Sequence, residues 1–230
     1  MHPEIWAIIP AAGSGSRFSQ HELKQYQMIS GQTVLQHTVS RLNQLPLSGY
    51  VLAINHHDSV AKTLDFMHSD KLHFCTGGKE RVDSVLQALN YLSQIAAPND
   101  FVLVHDAARP CVTFECLDAL LNTARQENCS AILAIPVRDT LKRVEKSNNI
   151  TETVTRDALW QAQTPQISKL GLLKSAIETS LQQGIVITDE ASALEFIGEK
   201  VKVVQGRSDN IKITYPDDLE LAQLILKSQK

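Results

Sequence analysis

Short apolar, β-branched runs recur at residues 6–9, 50–54, 72–74, 101–104, 131–135 and 201–204, with amphipathic stretches between most of them. Alternating strand and helix signals restrict the chain to an α/β arrangement, because each helix must bury its apolar stripe against a sheet. The helices are read from spacings of three and four: Val34, Leu35, Thr38, Val39 and Leu42; Val82, Val85, Leu86, Leu89 and Leu92; Leu117, Leu120, Leu121 and Ala124. The run 101–104, Phe-Val-Leu-Val, has no polar alternation and needs cover on both faces, as strands of a parallel sheet do. The expectation is a three-layer α/β/α sandwich with a mostly parallel mixed sheet. With 230 residues, 43% of them hydrophobic, the chain has enough core for one domain over 1–230.

One stretch breaks the alternation. Residues 137–154 form two polar, partly alternating strands around the turn cluster Ser147-Asn148-Asn149. A lone two-stranded hairpin is marginal in water, so this one must be covered. It is either an excursion packed on its own domain or a dimerisation arm, extending to residue 156. The chain contains no internal repeat, low-complexity tract or linker.

Charge and cysteine usage narrow the function. Lys and Arg number 22 against 25 Asp and Glu, a net charge of −3, so no global positive field recommends nucleic acid as a partner. Cys75, Cys111, Cys116 and Cys129 contain no C-x-x-C pair and no zinc-ligand spacing with histidine, and are expected as reduced thiols. The first residues lack the basic start and long apolar stretch of a signal peptide. No segment approaches the roughly 20 apolar residues that span a bilayer. A cytoplasmic protein without membrane association is expected.

The chemistry begins where the first strand ends. Residues 8–18 read I-I-P-A-A-G-S-G-S-R-F, and Lys24-Gln25 follows Leu23. Gly13 and Gly15 allow backbone N–H groups to approach an anion, and Arg17 and Lys24 add two positive charges beside it. A Walker loop would need G-x-x-x-x-G-K-[ST], and a dinucleotide fingerprint would need a third glycine where Phe18 stands. What remains is a loop suited to gripping a triphosphate, with an ordinary strand-to-helix turn as the plain alternative.

Five further segments carry polar groups. Val104-His105-Asp106-Ala107-Ala108-Arg109-Pro110 ends a buried strand with an acid that either holds Mg²⁺ or caps the next turn, and His105 is read as structural. Thr76-Gly77-Gly78 precedes a helix that opens near Asp83 and Ser84, a second place for backbone contact with a base or phosphate. Lys212 is expected on a short strand before a helix opened by Pro216, Asp217 and Asp218, forming a second cationic site with Arg156. Thr188-Asp189-Glu190 reads foremost as a capped helix start. His56-His57-Asp58 is a solvated loop rather than a metal site, since adjacent side chains on an extended segment point apart.

Eight pieces occur in order: P-A-A-G-S-G-S-R-F, L-K-Q-Y, G-G-K-E-R-V-D-S-V, V-H-D-A-A-R-P, P-V-R-D-T-L-K-R, L-W-Q-A-Q-T-P-Q, T-D-E-A-S-A-L-E and D-N-I-K-I-T. Together they resemble the 2-C-methyl-D-erythritol 4-phosphate cytidylyltransferases over essentially the whole chain. The resemblance implies a nucleotide-diphospho-sugar transferase fold whose β-arm hooks two subunits into a homodimer. It implies transfer of CMP from CTP to methylerythritol phosphate, with Mg²⁺ as cofactor, in the non-mevalonate isoprenoid pathway. Ribitol 5-phosphate cytidylyltransferase is the alternative within the same fold.

By the same resemblance, Arg17 and Lys24 stabilise the α-phosphate, and Arg156 and Lys212 position the acceptor. CTP is assigned to Pro10, Ala11, Ala12, Gly13, Ser14, Gly15, Gly77, Gly78, Asp83, Ser84, Asp106 and Ala107, with Asp106 also on the metal. The acceptor is assigned to Arg109, Thr140, Arg156, Thr164, Thr188, Asp189 and Lys212, with Thr140 and Arg156 acting on the partner's site. Phe18, Leu23 and Lys79 depart from the family's usual Met, Pro and acid at those positions.

Overall fold

A computed structural model describes residues 3–13, 18 and 23–229. Among these, β1 (Ile5–Pro10), β4 (Gly49–Ile54), β5 (Leu72–Thr76), β6 (Phe101–Val104), β7 (Ser130–Pro136), β10 (Trp160–Lys169) and β11 (Val201–Gln205) form a seven-stranded sheet. Its order is β11-β7-β10-β6-β1-β4-β5, and only β10 runs antiparallel to its neighbours. Two short strands, β2 (Met28–Ile29) and β3 (Gln32–Thr33), pair separately, as do β8 (Leu141–Val144) and β9 (Ile150–Val154).

Alternation along β1 divides the core into two layers. Ile5, Ala7 and Ile9 pack on one face with Leu35, Val39 and Leu42 of α1 (Val34–Leu42) and Leu117, Leu120 and Leu121 of α3 (Phe114–Glu127). Trp6 and Ile8 pack on the other face with Val85, Leu89 and Leu92 of α2 (Arg81–Leu92), Leu173 and Ile177 of α4 (Leu170–Gln182), and Leu194 of α5 (Glu190–Phe196). The periodic residues read from the sequence therefore lie on the buried stripes, and the three-layer mixed sheet is the observed architecture. The last helix, α6 (Asp218–Ser228), buries Ala222 and Leu226 against Phe18, Ile29 and Val34 at the sheet's carboxyl end.

Caps set several helix boundaries. The Thr33 hydroxyl accepts from the Gln36 N–H at 3.1 Å to open α1, and Thr113 opens α3. Asn128, in the left-handed region at φ 50°, ends α3.

The polar hairpin of residues 137–154 is present as β8 and β9, joined by a turn with Asn148 at φ 63°. It projects from the adjacent ends of β7 and β10, where Trp160 pairs with Pro136. Two expectations need correction. Lys212 is not on a strand: residues 210–214 are irregular, tied down by the Ile213 N–H to the Ala108 carbonyl at 2.9 Å. His56 and His57 lie in an exposed turn as expected, but their rings meet edge to face at 5.0 Å instead of pointing apart. All four cysteines are free thiols. No helix among the described residues is long and apolar enough to cross a membrane.

Candidate active site

Parallel strands deliver their carboxyl ends to one edge, and the connections leaving β1, β5 and β6 meet there around a cleft of about 310 Å³. Ala11 N–H to Ala53 O at 2.8 Å, Gly77 N–H to Ile54 O at 2.8 Å and His105 N–H to Ile8 O at 2.9 Å extend the ladder one step beyond the strands. These bonds hold the turns that form the cleft's floor.

One wall is the residue 10–13 segment, with Pro10, Ala11, Ala12 and Gly13 all lining the cleft. Ser14, Gly15 and Arg17 lie outside the described residues. Lys24 lies on a single helical turn, Lys24–Tyr26, anchored by the buried Gln25, whose amide donates to Ala11 O at 3.0 Å. The Lys24 ammonium donates to Ile213 O at 3.0 Å, beside Lys212 in sequence. The lysine expected at the nucleotide and the lysine expected at the acceptor therefore border one cleft.

The opposite wall is the Gly77-Gly78 turn and the start of α2. Gly78 and Ser84 line the cleft. The Ser84 hydroxyl accepts from Gly78 N–H at 3.1 Å and donates to Glu80 O at 3.2 Å, and Asp83 accepts from Glu80 N–H at 2.9 Å. Asp83 thus shapes the turn from outside the cleft lining, and Gly77 supports it from below. A Cβ on Gly78 would overlap the Asp83 side chain, so this turn requires glycine.

Asp106 lies at the cleft floor with Ala107. Its carboxylate receives Arg81 Nε at 2.9 Å on Oδ1, and Lys212 Nζ at 2.9 Å and Arg109 Nε at 3.4 Å on Oδ2. Burial pushes this carboxyl up, but the charges of Arg81, Lys212 and Arg109 outweigh it and hold Asp106 well below the usual carboxylate range. Arg81 also grips the buried Glu190 with both terminal nitrogens, at 2.7 and 3.1 Å. Neither Arg81 nor Glu190 is marked by sequence reasoning, because they are partners across 109 positions.

Behind Asp106 runs a fixed hydrogen-bond chain. The Asp106 N–H donates to the Thr164 hydroxyl at 3.0 Å, and that hydroxyl contacts His105 Nδ1 at 2.9 Å. The other imidazole nitrogen, Nε2, lies 3.0 Å from Arg109 O, an acceptor, so Nε2 carries the proton and Nδ1 accepts from Thr164. Burial pushes His105 down to about 4, and it is neutral and structural at pH 7. Arg109 donates to Asn210 O at 2.7 Å. Thr164 and Arg109 therefore support the cleft from outside its lining.

The remaining expected acceptor residues lie elsewhere in the chain. Asp189 caps α5, accepting from Ser192 N–H at 3.0 Å on one oxygen and from the Gln166 amide at 2.9 Å on the other. The neighbouring Thr188 N–H donates to the Ser192 hydroxyl at 3.1 Å. Thr140 and Arg156 are exposed at the base of the hairpin, where the Arg156 guanidinium donates to Arg138 O. The fold of one chain thus brings Lys212 into the cleft and leaves Arg156 outside its lining.

The metal reading rests on one carboxylate. Among the described residues no group of three or more His, Cys, Asp or Glu side chains is placed to hold an ion. Mg²⁺ commonly takes one or two carboxylates and completes its shell with water and substrate phosphates, and Asp106 supplies one such carboxylate; its oxygens accept from Arg81, Lys212 and Arg109 here, so it would hold an ion on Oδ2 only once Lys212 has moved away.

Glycine turns, strand carboxyl ends and converging lysines define a nucleotidyltransferase of the α/β/α class. The chain belongs to the 2-C-methyl-D-erythritol 4-phosphate cytidylyltransferase family (IspD), matching it over residues 5–228. The protein of that name from Acinetobacter baumannii is 69% identical over 226 residues, covering 98% of this chain and 95% of the relative. Its counterpart from Vibrio parahaemolyticus is 50% identical over 97% of this chain and 96% of its own length. The crystal structure of the Francisella tularensis enzyme of this name superposes with a TM-score of 0.84 at 38% identity, covering 96% and 99% of the two chains. A crystal structure of 4-diphosphocytidyl-2C-methyl-D-erythritol synthase gives 0.86 at 35% identity, covering 98% and 100%.

Proposed function

We propose that this cleft transfers the cytidylyl group of CTP to 2-C-methyl-D-erythritol 4-phosphate, releasing pyrophosphate, in the non-mevalonate route to isoprenoid precursors. The observation that carries the reading is the convergence of Lys24 and Lys212 on one glycine-walled cleft, in a chain that matches the family over residues 5–228.

An oxygen of the acceptor phosphate attacks the α-phosphorus of CTP. The new P–O bond forms as the bond to the bridging oxygen of pyrophosphate breaks. A phosphate monoester has a second pKa of about 6 and is largely dianionic at neutral pH, so no general base is required. The neutral His105 takes no part. The protein's task is to position two polyanions and stabilise the charge between them. Lys24 and Arg17 serve the α-phosphate and leaving group, while Lys212 holds the acceptor phosphate. Asp106 would hold Mg²⁺, which neutralises triphosphate charge when bound.

The hairpin leaves Val144 and Ile150 more than half exposed, at 52% and 61%, with Trp160 at its base also exposed. A second copy of the chain covers these groups and receives Thr140 and Arg156 beside its own Lys212. Consumption of CTP and the four free thiols support a cytoplasmic setting.

The test measures pyrophosphate release from CTP and Mg²⁺ with methylerythritol phosphate or ribitol 5-phosphate as acceptor, for the parent and Lys24→Ala. Turnover with methylerythritol phosphate, reduced about a hundredfold or more in the folded variant, is expected. Preference for ribitol 5-phosphate overturns the acceptor, and an unimpaired variant overturns the role of Lys24.

A further inference from the structure

Five charged side chains form one connected cluster on the cleft floor: Arg81, Arg109 and Lys212 against Asp106 and Glu190. The surplus is a single positive charge. Lys212 is the most exposed member, with 36% of its side chain accessible, whereas Asp106 and Glu190 are buried. Removing Lys212 from the cluster leaves two guanidinium groups facing two carboxylates, a balanced set. Lys212 is therefore the cation that can turn to an incoming anion while the rest stays neutral.

That exchange depends on Asp106 keeping a partner. A buried carboxylate stripped of its cations is strongly unfavourable, which would hold Lys212 back. Arg109 remains on Oδ2 only as a long contact of 3.4 Å, so the close pairing at 2.9 Å falls to Arg81, at the first position of α2. Its Nε bonds Asp106 Oδ1, the oxygen that neither Lys212 nor Arg109 contacts, and its two terminal nitrogens are fixed on Glu190. The fork geometry of arginine satisfies both carboxylates at once, which the single ammonium of lysine cannot reproduce.

We propose that Arg81, locked by Glu190, is a positioning residue that keeps Asp106 paired so that Lys212 can pass from Asp106 to the acceptor phosphate. The proposal rests on the assignment of Lys212 to that phosphate. Glu190 fixes the guanidinium from α5, so the first turn of α5 and the first turn of α2 jointly set the pose of Asp106.

The test compares steady-state kinetics of the parent, Arg81→Lys and the double variant Arg81→Met with Glu190→Gln. The double variant leaves no buried charge without a partner in the Arg81–Glu190 pair, and thermal unfolding checks that it is folded. Activity of the parent with CTP and methylerythritol phosphate tests the functional reading separately. The expected result is a rise in KM for methylerythritol phosphate of about tenfold or more in the double variant, with KM for CTP changed much less. Arg81→Lys is expected to restore only part of this loss. Equal effects on both substrates, kinetics within about twofold of the parent in the folded double variant, or full rescue by lysine would each overturn the proposal.

Discussion

His105 shows how a residue next to the chemistry serves it while remaining uncharged. Its imidazole accepts from Thr164 and donates to the Arg109 carbonyl, so it helps aim the backbone that carries Asp106. Burial lowers its pKa from 6.5 to about 4. Between these values the unfolded chain binds a proton that the folded chain refuses, so stability increases with pH through the window and is lost as pH falls from 6.5 toward 4. At about 1.4 kcal/mol per unit, the shift corresponds to about 3 kcal/mol. Asp106, whose folded pKa is depressed, contributes stability that persists through this window and is lost only at lower pH. Urea titrations at a series of pH values should give a visibly shallower stability slope between pH 4 and 6.5 for His105→Asn than for the parent. An unchanged slope would mean that His105 is protonated in the folded state.

At the scale of elements, the glycine turn before α2 behaves as part of the helix. Ser84 and Asp83, in the first turn, reach back to Gly78 N–H and Glu80 N–H, so the cleft wall and the helix start share their hydrogen bonds. Gly78→Ala must displace Asp83 to fit its methyl group, moving the wall without touching the core. Its KM for CTP should rise about tenfold or more with little change in melting temperature, and a KM equal to the parent's would show that this wall does not contact the nucleotide. Such elements are legible in the sequence to the extent that their signals are local. The stripes Val34–Leu42 and Arg81–Leu92 and the continuous run Phe101–Val104 announce themselves by spacing. β10 does not: Gln161, Gln163 and Gln166 make it read as polar, and Pro165 argues against a central strand. It can lie inside the sheet, between β7 and β6, because its ladder with β7 is interrupted around that proline. Lys212 reads as a strand residue from its apolar neighbours Ile211 and Ile213, whereas those side chains are anchored in the cluster below α6. The Arg81–Glu190 pair carries no local pattern, since burial alone brings its partners together.

At the scale of the molecule, the hairpin's exposed apolar groups and the separation of Arg156 from the Lys212 cleft lead to one experiment. Arg156→Ala and Lys24→Ala homodimers should each be nearly inactive. Subunit exchange should then restore activity, because one composite site draws Lys24 and Arg156 from the unmutated positions of two different chains. Recovery should approach about half of the wild-type value per heterodimer. Demonstrated heterodimers without recovery would place both residues in a site made by one chain.

The interruption in β10 also has an arithmetic. Between the pairs Ala162–Ala134 and Gln166–Ile132, β10 advances four residues while β7 advances two. The surplus is even, and side-chain direction along a strand alternates with period two, so every residue on either side keeps its face. Trp160 and Gln161 keep their pairing with Pro136 and Ile135, so the extra residues of β10 are absorbed between Ala162 and Gln166. The joint that carries the hairpin is thus a local bulge, a place where chain length can change without altering the faces on either side.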